Sequence, residues 1–248
     1  MTSHIETIEL RILAVDIGGN NMKILAHGVE ERKTKSGPAL SARQAVDAIK
    51  LMAKDIDYDV LSIGYPGPVR NNSPSLEPAN LGPGWKGFDF SQAFGKPVKL
   101  VNDALMQAIG SYKGGRLLFL GLGTGLGSAM VMESVAQPLE LAHLPYRKQL
   151  TFEDYVGKRG LVRRGHKKWK ESVFDVVARL QAALLPDYIV IGGGQIDQLD
   201  ELPTGCIRGD NRLAFQGGFR IWQDSSIILS RGPERDGSQT FLSVPRPC

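Results

Sequence analysis

Asp103 follows the strand-like run Lys96–Val101 and stands with Asn102 at the start of a helical pattern that continues to Tyr112. The positive end of a helix favours an ionised carboxylate, so Asp103 could act as a general base that takes a proton from an attacking hydroxyl; it could equally serve only as a helix cap. Asp16 stands at the mouth of the turn Gly18-Gly19-Asn20-Asn21, where its carboxylate could hold Mg²⁺ through water beside phosphate oxygens. Turns of small residues let backbone N–H groups converge on an anion. That is one reading of Gly18-Gly19 and of Gly123-Thr124-Gly125; the other is that these glycines only form hairpin corners. Glu140 and His143 are three residues apart, so on one helical turn they would share a face and fork around a diol, unless they are a surface acid and a core histidine. Lys158, Arg159, Arg163, Arg164, Lys167, Lys168 and Lys170 place seven positive charges within thirteen residues, around His166. That run suits either a solvated loop and helix turn or a groove for a polyanion.

These side chains need elements to hold them. Arg11–Ile17 reads as a buried strand and Met22–Ala26 resumes the pattern, so the first glycine turn closes a hairpin. Leu117–Met132 repeats the plan of apolar strand, glycine corner and apolar strand. Ser41–Asp55 carries a helical stripe at Ala45, Ile49, Met52 and Ala53, with Ser41 as its cap. Val60–Gly64 is a short strand, and Asn71–Phe88 reads as a long loop. Trp169–Leu185 is a helix that stops before Pro186, and Tyr188–Ile191 is a strand leading into Gly192-Gly193-Gly194. Leu213–Trp222 forms a last helix, and the chain from Gly232 onward reads as a polar tail. Strands alternating with helices predict α/β layers, and two hairpin-led halves predict a duplication into two lobes, 1–112 and 113–231, with a cleft between them and 232–248 as the tail.

The chain of 248 residues is 42% hydrophobic and 23% charged, enough apolar material for sizeable cores and not the composition of a disordered protein. Its longest uncharged stretch, the sixteen residues Leu117–Met132, is interrupted by Gly121, Gly123, Gly125 and Gly127 and is too short for a bilayer. Glu6 and Glu9 stand where a signal peptide needs an apolar core. Cys206 and Cys248 supply neither a disulfide framework nor metal-ligand spacing, so a cytoplasmic location without a membrane partner is expected. The net charge of +4 is concentrated in the basic run. No G-K-[ST] occurs, and G-x-G-x-x-G fails after Gly123-Thr124-Gly125-Leu126 because strand-like sequence follows Gly127. HExxH is absent, which argues against a zinc protease.

In order along the chain, Val15-Asp16-Ile17-Gly18-Gly19-Asn20 with Lys23, Val101-Asn102-Asp103-Ala104, Leu122-Gly123-Thr124-Gly125-Leu126-Gly127-Ser128, Glu140-Leu141-Ala142-His143 and Val190-Ile191-Gly192-Gly193-Gly194 resemble the ROK family of sugar kinases, most closely its polyphosphate glucokinase branch. The resemblance spans about Arg11 to Gln223. It implies an actin-like, hexokinase-type fold of two ribonuclease H-like lobes, with sugar and phosphoryl donor meeting in the cleft. Asp103 would be the catalytic base. Asn102, Glu140 and His143 match the family's sugar contacts, as Asn80 and Glu153 do less closely. Asp16, Gly18, Gly19, Asn20, Lys23, Gly123, Thr124 and Gly125 would hold the donor phosphates. Gly192, Gly193 and Gly194 correspond to the segment beside the nucleotide. Two departures stand out: Asn20 replaces the usual Thr or Ser, and Pro145-Tyr146-Arg147-Lys148 replaces the cysteine-rich zinc motif of many members, so no zinc is expected.

The reaction implied is transfer of a phosphoryl group from ATP or polyphosphate, with Mg²⁺, to the 6-hydroxyl of glucose or a related hexose by a cytoplasmic homodimer. The basic run is the surface along which a polyphosphate donor would lie. A sugar sensor that has kept the fold without catalysis is the alternative. Nucleic-acid binding fits poorly, because the basic run has no interleaved aromatics beyond Trp169 and the N-terminus has no winged-helix extension.

Overall fold

The computed structural model describes residues 10–230, so the tail expected from Gly232 lies outside the described residues. Strand β1 (Ile12–Ile17) is buried at every position except the half-exposed Asp16, and it pairs antiparallel with β2 (Asn21–Ala26) from Leu13↔Ala26 to Ile17↔Met22. Strand β3 (Arg32–Lys35) adds to β2. Its sequence, RKTK, has no apolar residue to announce a strand; the sheet edge alone recruits it. Helix α1 (Ala42–Met52) begins at Ser41, whose hydroxyl and backbone form a reciprocal capping box with Gln44, and it buries Ala42, Ala45, Val46 and Ile49. Fully buried β4 (Val60–Tyr65) lies parallel to β1. The stretch after it is irregular apart from the short pair β5 (Val69–Arg70) and β6 (Ser73–Pro74). Helix α2 (Phe90–Phe94), strand β7 (Val98–Asn102) parallel to β4, and helix α3 (Asp103–Ser111) complete this half, with sheet order β3-β2-β1-β4-β7.

The second half repeats that plan. Strands β8 (Arg116–Leu122), β9 (Leu126–Met132) and β10 (Val135–Leu139) form an antiparallel meander. A 3₁₀ turn (Leu141–His143) leads to helices α4 (Phe152–Val156), α5 (Lys158–Arg164) and α6 (His166–Leu184). Strands β11 (Tyr188–Gly192) and β12 (Cys206–Arg208) then add in parallel beyond β8. Helix α7 (Leu213–Gln223) and the short β13 (Ile228–Leu229), paired with β10, end the described chain. The order is β12-β11-β8-β9-β10-β13. Each sheet is therefore a three-strand meander whose first strand carries two parallel strands on its other side, the duplicated α/β plan expected from the two hairpins.

One core lies between the first sheet and α1, with Trp85 and Phe90 sealing it, and another between the second sheet and α4 and α6. Helices α3 and α7 fill the space between the sheets. Residues Phe215 and Phe219 of α7 pack on Ile12, Ala14 and Val60 of the first sheet, burial of about 1.5–3 kcal/mol per side chain. Helix α7 thus returns to the first half, so a division of the chain after residue 112 does not separate the packing units. The helices touch through glycine: a Cβ on Gly110 would run into the Leu213 carbonyl, and one on Gly217 into that of Met106. Arg220 clamps the crossing by donating to the carbonyl oxygens of Ile109 and Tyr112.

Candidate active site

Strands of both sheets meet the first turn of α3. Asn102 is the helix cap: its Oδ1 accepts from Leu105 N–H at 3.2 Å while its Nδ2 donates to the Gly67 carbonyl at 3.2 Å. Asp103 is therefore the first helical residue and not the cap. One carboxylate oxygen accepts from Ala104 N–H at 2.7 Å, and the residue is partly buried. On one side, Gly64 at the end of β4 lies against the Asp103 backbone and Met106, in register with Asp16 of β1. On the other, Gly127 of β9 lies against Ala104. Neither glycine would accept a Cβ without displacement of its neighbour, so β4 and β9 both approach the start of α3 closely.

Electrostatics bring three acids into one field. Burial pushes Asp103 up to about 7, and the nearby carboxylates of Asp16 and Glu140 push in the same direction against the Ala104 hydrogen bond. Burial likewise raises Asp16 to about 6, opposed by Lys23, its cross-strand neighbour, which pairs with Glu31 at 3.5 Å. Glu140 is raised by desolvation, with His143 pulling it down and Glu153 pushing it up. Glu140 and His143 are 3.8 Å apart and their side chains are about half exposed or more, which removes the reading of His143 as a core histidine; the turn that joins them is 3₁₀, not α-helical.

The first corner is closed by Gly18 N–H donating to the Asn21 carbonyl at 3.0 Å and is braced by Ser36, whose N–H donates to Asn20 and whose hydroxyl donates to Gly18. Asn80 rests against Gly19. The irregular segment that carries Asn80 is pinned by Trp85, whose indole N–H donates to Leu40 at 3.1 Å, and by Glu77, which accepts from Trp85 N–H at 3.0 Å. The second corner has Gly123 N–H donating to the Gly125 carbonyl at 3.1 Å, and Lys158 N–H donates back to Gly123 and Thr124. Glu153 packs against Gly125. The segment Gly192-Gly193-Gly194 adjoins this corner: Gly193 has φ +87 and its Cα lies on the Leu122 backbone, so glycine is required there, and its N–H donates to Asn211 Oδ1.

Sequence reasoning missed Glu31 and Asn211 at these corners. The clue for Glu31 is its reach to Lys23 across β2, which only the β2–β3 pairing makes visible. The basic run forms two helices joined at Gly165, α5 and α6. Lys170 points away from its neighbours and is paired with Asp200 at 2.6 Å and Glu201 at 3.0 Å. A hollow of about 1250 Å³ runs along the outer edge of β7, lined by Asn102 of the candidate site together with Asn72, Trp222 and Ile228. Among the described residues, no three His, Cys, Asp or Glu side chains form a metal-binding group, and no helix is long and apolar enough to cross a membrane. A hard divalent cation commonly takes one or two carboxylates and completes its shell with water and phosphate oxygens. The desolvated Asp16, with the Glu31 carboxylate pushing in the same direction, fits such a partial donor set.

Two sheets of matching plan, with helices α3 and α7 between them, make up the actin-like, hexokinase-type fold. The solved structures that share it include the inorganic polyphosphate/ATP-glucomannokinase of Arthrobacter sp. strain KM, at 19% identity and TM-score 0.74 over 84% of this chain and 96% of that one. They also include a ROK family glucokinase from Streptomyces griseus in complex with glucose and AMPPNP (17%, TM-score 0.66, 84% and 97%). A third is the ROK hexokinase of Thermus thermophilus (16%, TM-score 0.63, 87% and 100%). No family model and no curated protein matches the chain.

Proposed function

We propose that this protein is a ROK-type sugar kinase that transfers a phosphoryl group from polyphosphate or ATP to the 6-hydroxyl of glucose or a related hexose. The observation that carries the reading is the setting of Asp103: partly buried, steadied by Ala104 N–H, in the field of Asp16 and Glu140, and at a helix start that meets strands of both sheets. Asp103 accepts the hydroxyl proton as the sugar oxygen attacks phosphorus. Asn80, Asn102, Glu140, His143 and Glu153 orient the hexose. Gly18, Gly19, Asn20 and Lys23 from one side, and Gly123, Thr124 and Gly125 from the other, hold donor phosphates by backbone N–H and charge. Gly192, Gly193 and Gly194 adjoin the nucleotide when ATP is the donor. Mg²⁺, held through water by Asp16, would neutralise charge on the transferred group. A cytoplasmic homodimer is the setting this reading implies.

Solved structures of the same fold described as glucokinases and as a polyphosphate/ATP-glucomannokinase support the reaction class. The test is a coupled assay for sugar phosphate with ATP or polyphosphate as donor over a panel of hexoses. Sugar phosphate formed with at least one donor and hexose is expected. Hexose binding with no transfer from either donor would establish the sensor alternative instead.

A further inference from the structure

The first corner is a hairpin whose closing hydrogen bonds are only half made. Gly18 N–H donates to the Asn21 carbonyl at 3.0 Å, but the reciprocal bond, Asn21 N–H to the Gly18 carbonyl, is missing. That carbonyl instead accepts from the Ser36 hydroxyl at 2.5 Å. Ser36 stands directly after β3, and its own N–H donates to the Asn20 carbonyl at 3.0 Å, again without a return bond from Asn20 N–H. Asn21 faces Lys35 as the next pair of the antiparallel ladder, a non-hydrogen-bonded one, so β3 offers its N–H no acceptor. One serine thus occupies two carbonyls of the corner. Gly19, Asn20 and Asn21 keep three successive N–H groups with no acceptor among the described residues.

The direction of those groups follows from the planar trans peptide. No cis bond occurs among the described residues, so each carbonyl points opposite to the N–H of the next residue. The Gly18 and Asn20 carbonyls are turned to Ser36, and the N–H groups of Gly19 and Asn21 are therefore turned away from it. Successive N–H groups without acceptors make a concavity of positive potential suited to an oxyanion. Gly18-Gly19-Asn20-Asn21 has no hydroxyl of its own, so the brace comes from another part of the chain. The second corner uses the same device with a different donor. Lys158 N–H takes the carbonyls of Gly123 and Thr124, at 3.0 and 3.2 Å, which turns the N–H groups of Thr124 and Gly125 away from the start of α5.

We propose that Ser36 is a positioning residue for the phosphoryl donor: by holding the Gly18 and Asn20 carbonyls it keeps the Gly19 and Asn21 N–H groups free for phosphate oxygens. The proposal rests on the kinase reading, in which this corner holds the donor, and adds a residue that touches the corner and not the substrate. Ser36→Ala removes the hydroxyl and leaves the backbone bond to Asn20, whereas Ser36→Thr keeps both. Amide hydrogen exchange at Asn21 and KM for donor and hexose are measured on the full chain. In Ser36→Ala the Asn21 amide exchanges about tenfold more slowly, as it closes on the freed Gly18 carbonyl. Donor KM rises about tenfold, the loss of one hydrogen bond to a charged group, while hexose KM stays within about twofold. Ser36→Thr restores both. An unchanged donor KM, donor and hexose KM rising together, an unchanged Asn21 amide, or Ser36→Thr no better than Ser36→Ala would each overturn it. If the wild-type protein transfers phosphate from no donor, the kinase reading fails on its own, and tripolyphosphate titrated against the Gly19, Asn20 and Asn21 amide resonances decides the role of Ser36. Shifts in wild type that are lost in Ser36→Ala support it; equal shifts in both, or none in wild type, contradict it.

Discussion

Asp16 and Asp103 are two partly buried carboxylates near each other, and burial is the largest cause of the rise in both. A carboxylate with a pKa near 7 is matched to accepting a proton at neutral pH, where about half of it is ionised and that half is still basic. Activity should therefore have an acid limb near pH 7, with kcat/KM falling about tenfold per pH unit below it. In Asp16→Asn the limb should move to lower pH, because one neighbouring negative charge is gone; a limb that stays in place would detach Asp16 from Asp103. The same shift has a stability consequence. A carboxyl whose folded pKa is raised binds its proton more tightly in the folded state, so stability is lost as pH rises from the unfolded value toward about 7. Asp103→Asn keeps an acceptor for Ala104 N–H and removes the buried charge. Thermal unfolding should show it stabilised by on the order of 2 kcal/mol at pH 8, a gain that vanishes below about pH 4.

At the scale of elements, Asn102 and the glycine contacts do the positioning. Asn102→Ala removes the cap of α3 and the tie to Gly67, so urea unfolding should show a loss of about 1–2 kcal/mol, accompanied by lower turnover as the first turn of α3 frays. Unchanged stability would mean that the cap is dispensable. Elements with a strong periodic signal were legible in the sequence: the two hairpins, α1 with Ser41, and α6 ending before Pro186. Others were not, for physical reasons. Strand β3 has no apolar face, and β10 contains Gln137 and Pro138 at a place where the neighbouring strand supplies the pairing. Helices α4 and α5 are five and seven residues long, too short for a helical period to register. The candidate site residues stood out in the sequence because Asp16, Asp103 and the glycine corners each fall near a strand end, where apolar sequence gives way abruptly to small or acidic residues.

For the molecule as a whole, the decisive arrangement is the crossing of α3 and α7 between the sheets, which nothing local in the sequence reveals. The crossing couples Asp103 to both halves, since α3 carries it and α7 packs on β1 and β4. Gly217→Ala should force the helices apart, costing about 1–3 kcal/mol and lowering turnover although residue 217 lies one helix away from the carboxylate. A variant with full stability and full turnover would show that the close contact has no role. The central claim is that the duplicated halves present phosphate and sugar oxygen to one ionised aspartate. Its most direct test is Asp103→Asn, assayed for both hexose binding and sugar phosphate formation with the better donor. Binding within a few-fold of wild type with turnover reduced at least about a hundredfold is the expected result. Near-normal turnover in that variant would contradict the account.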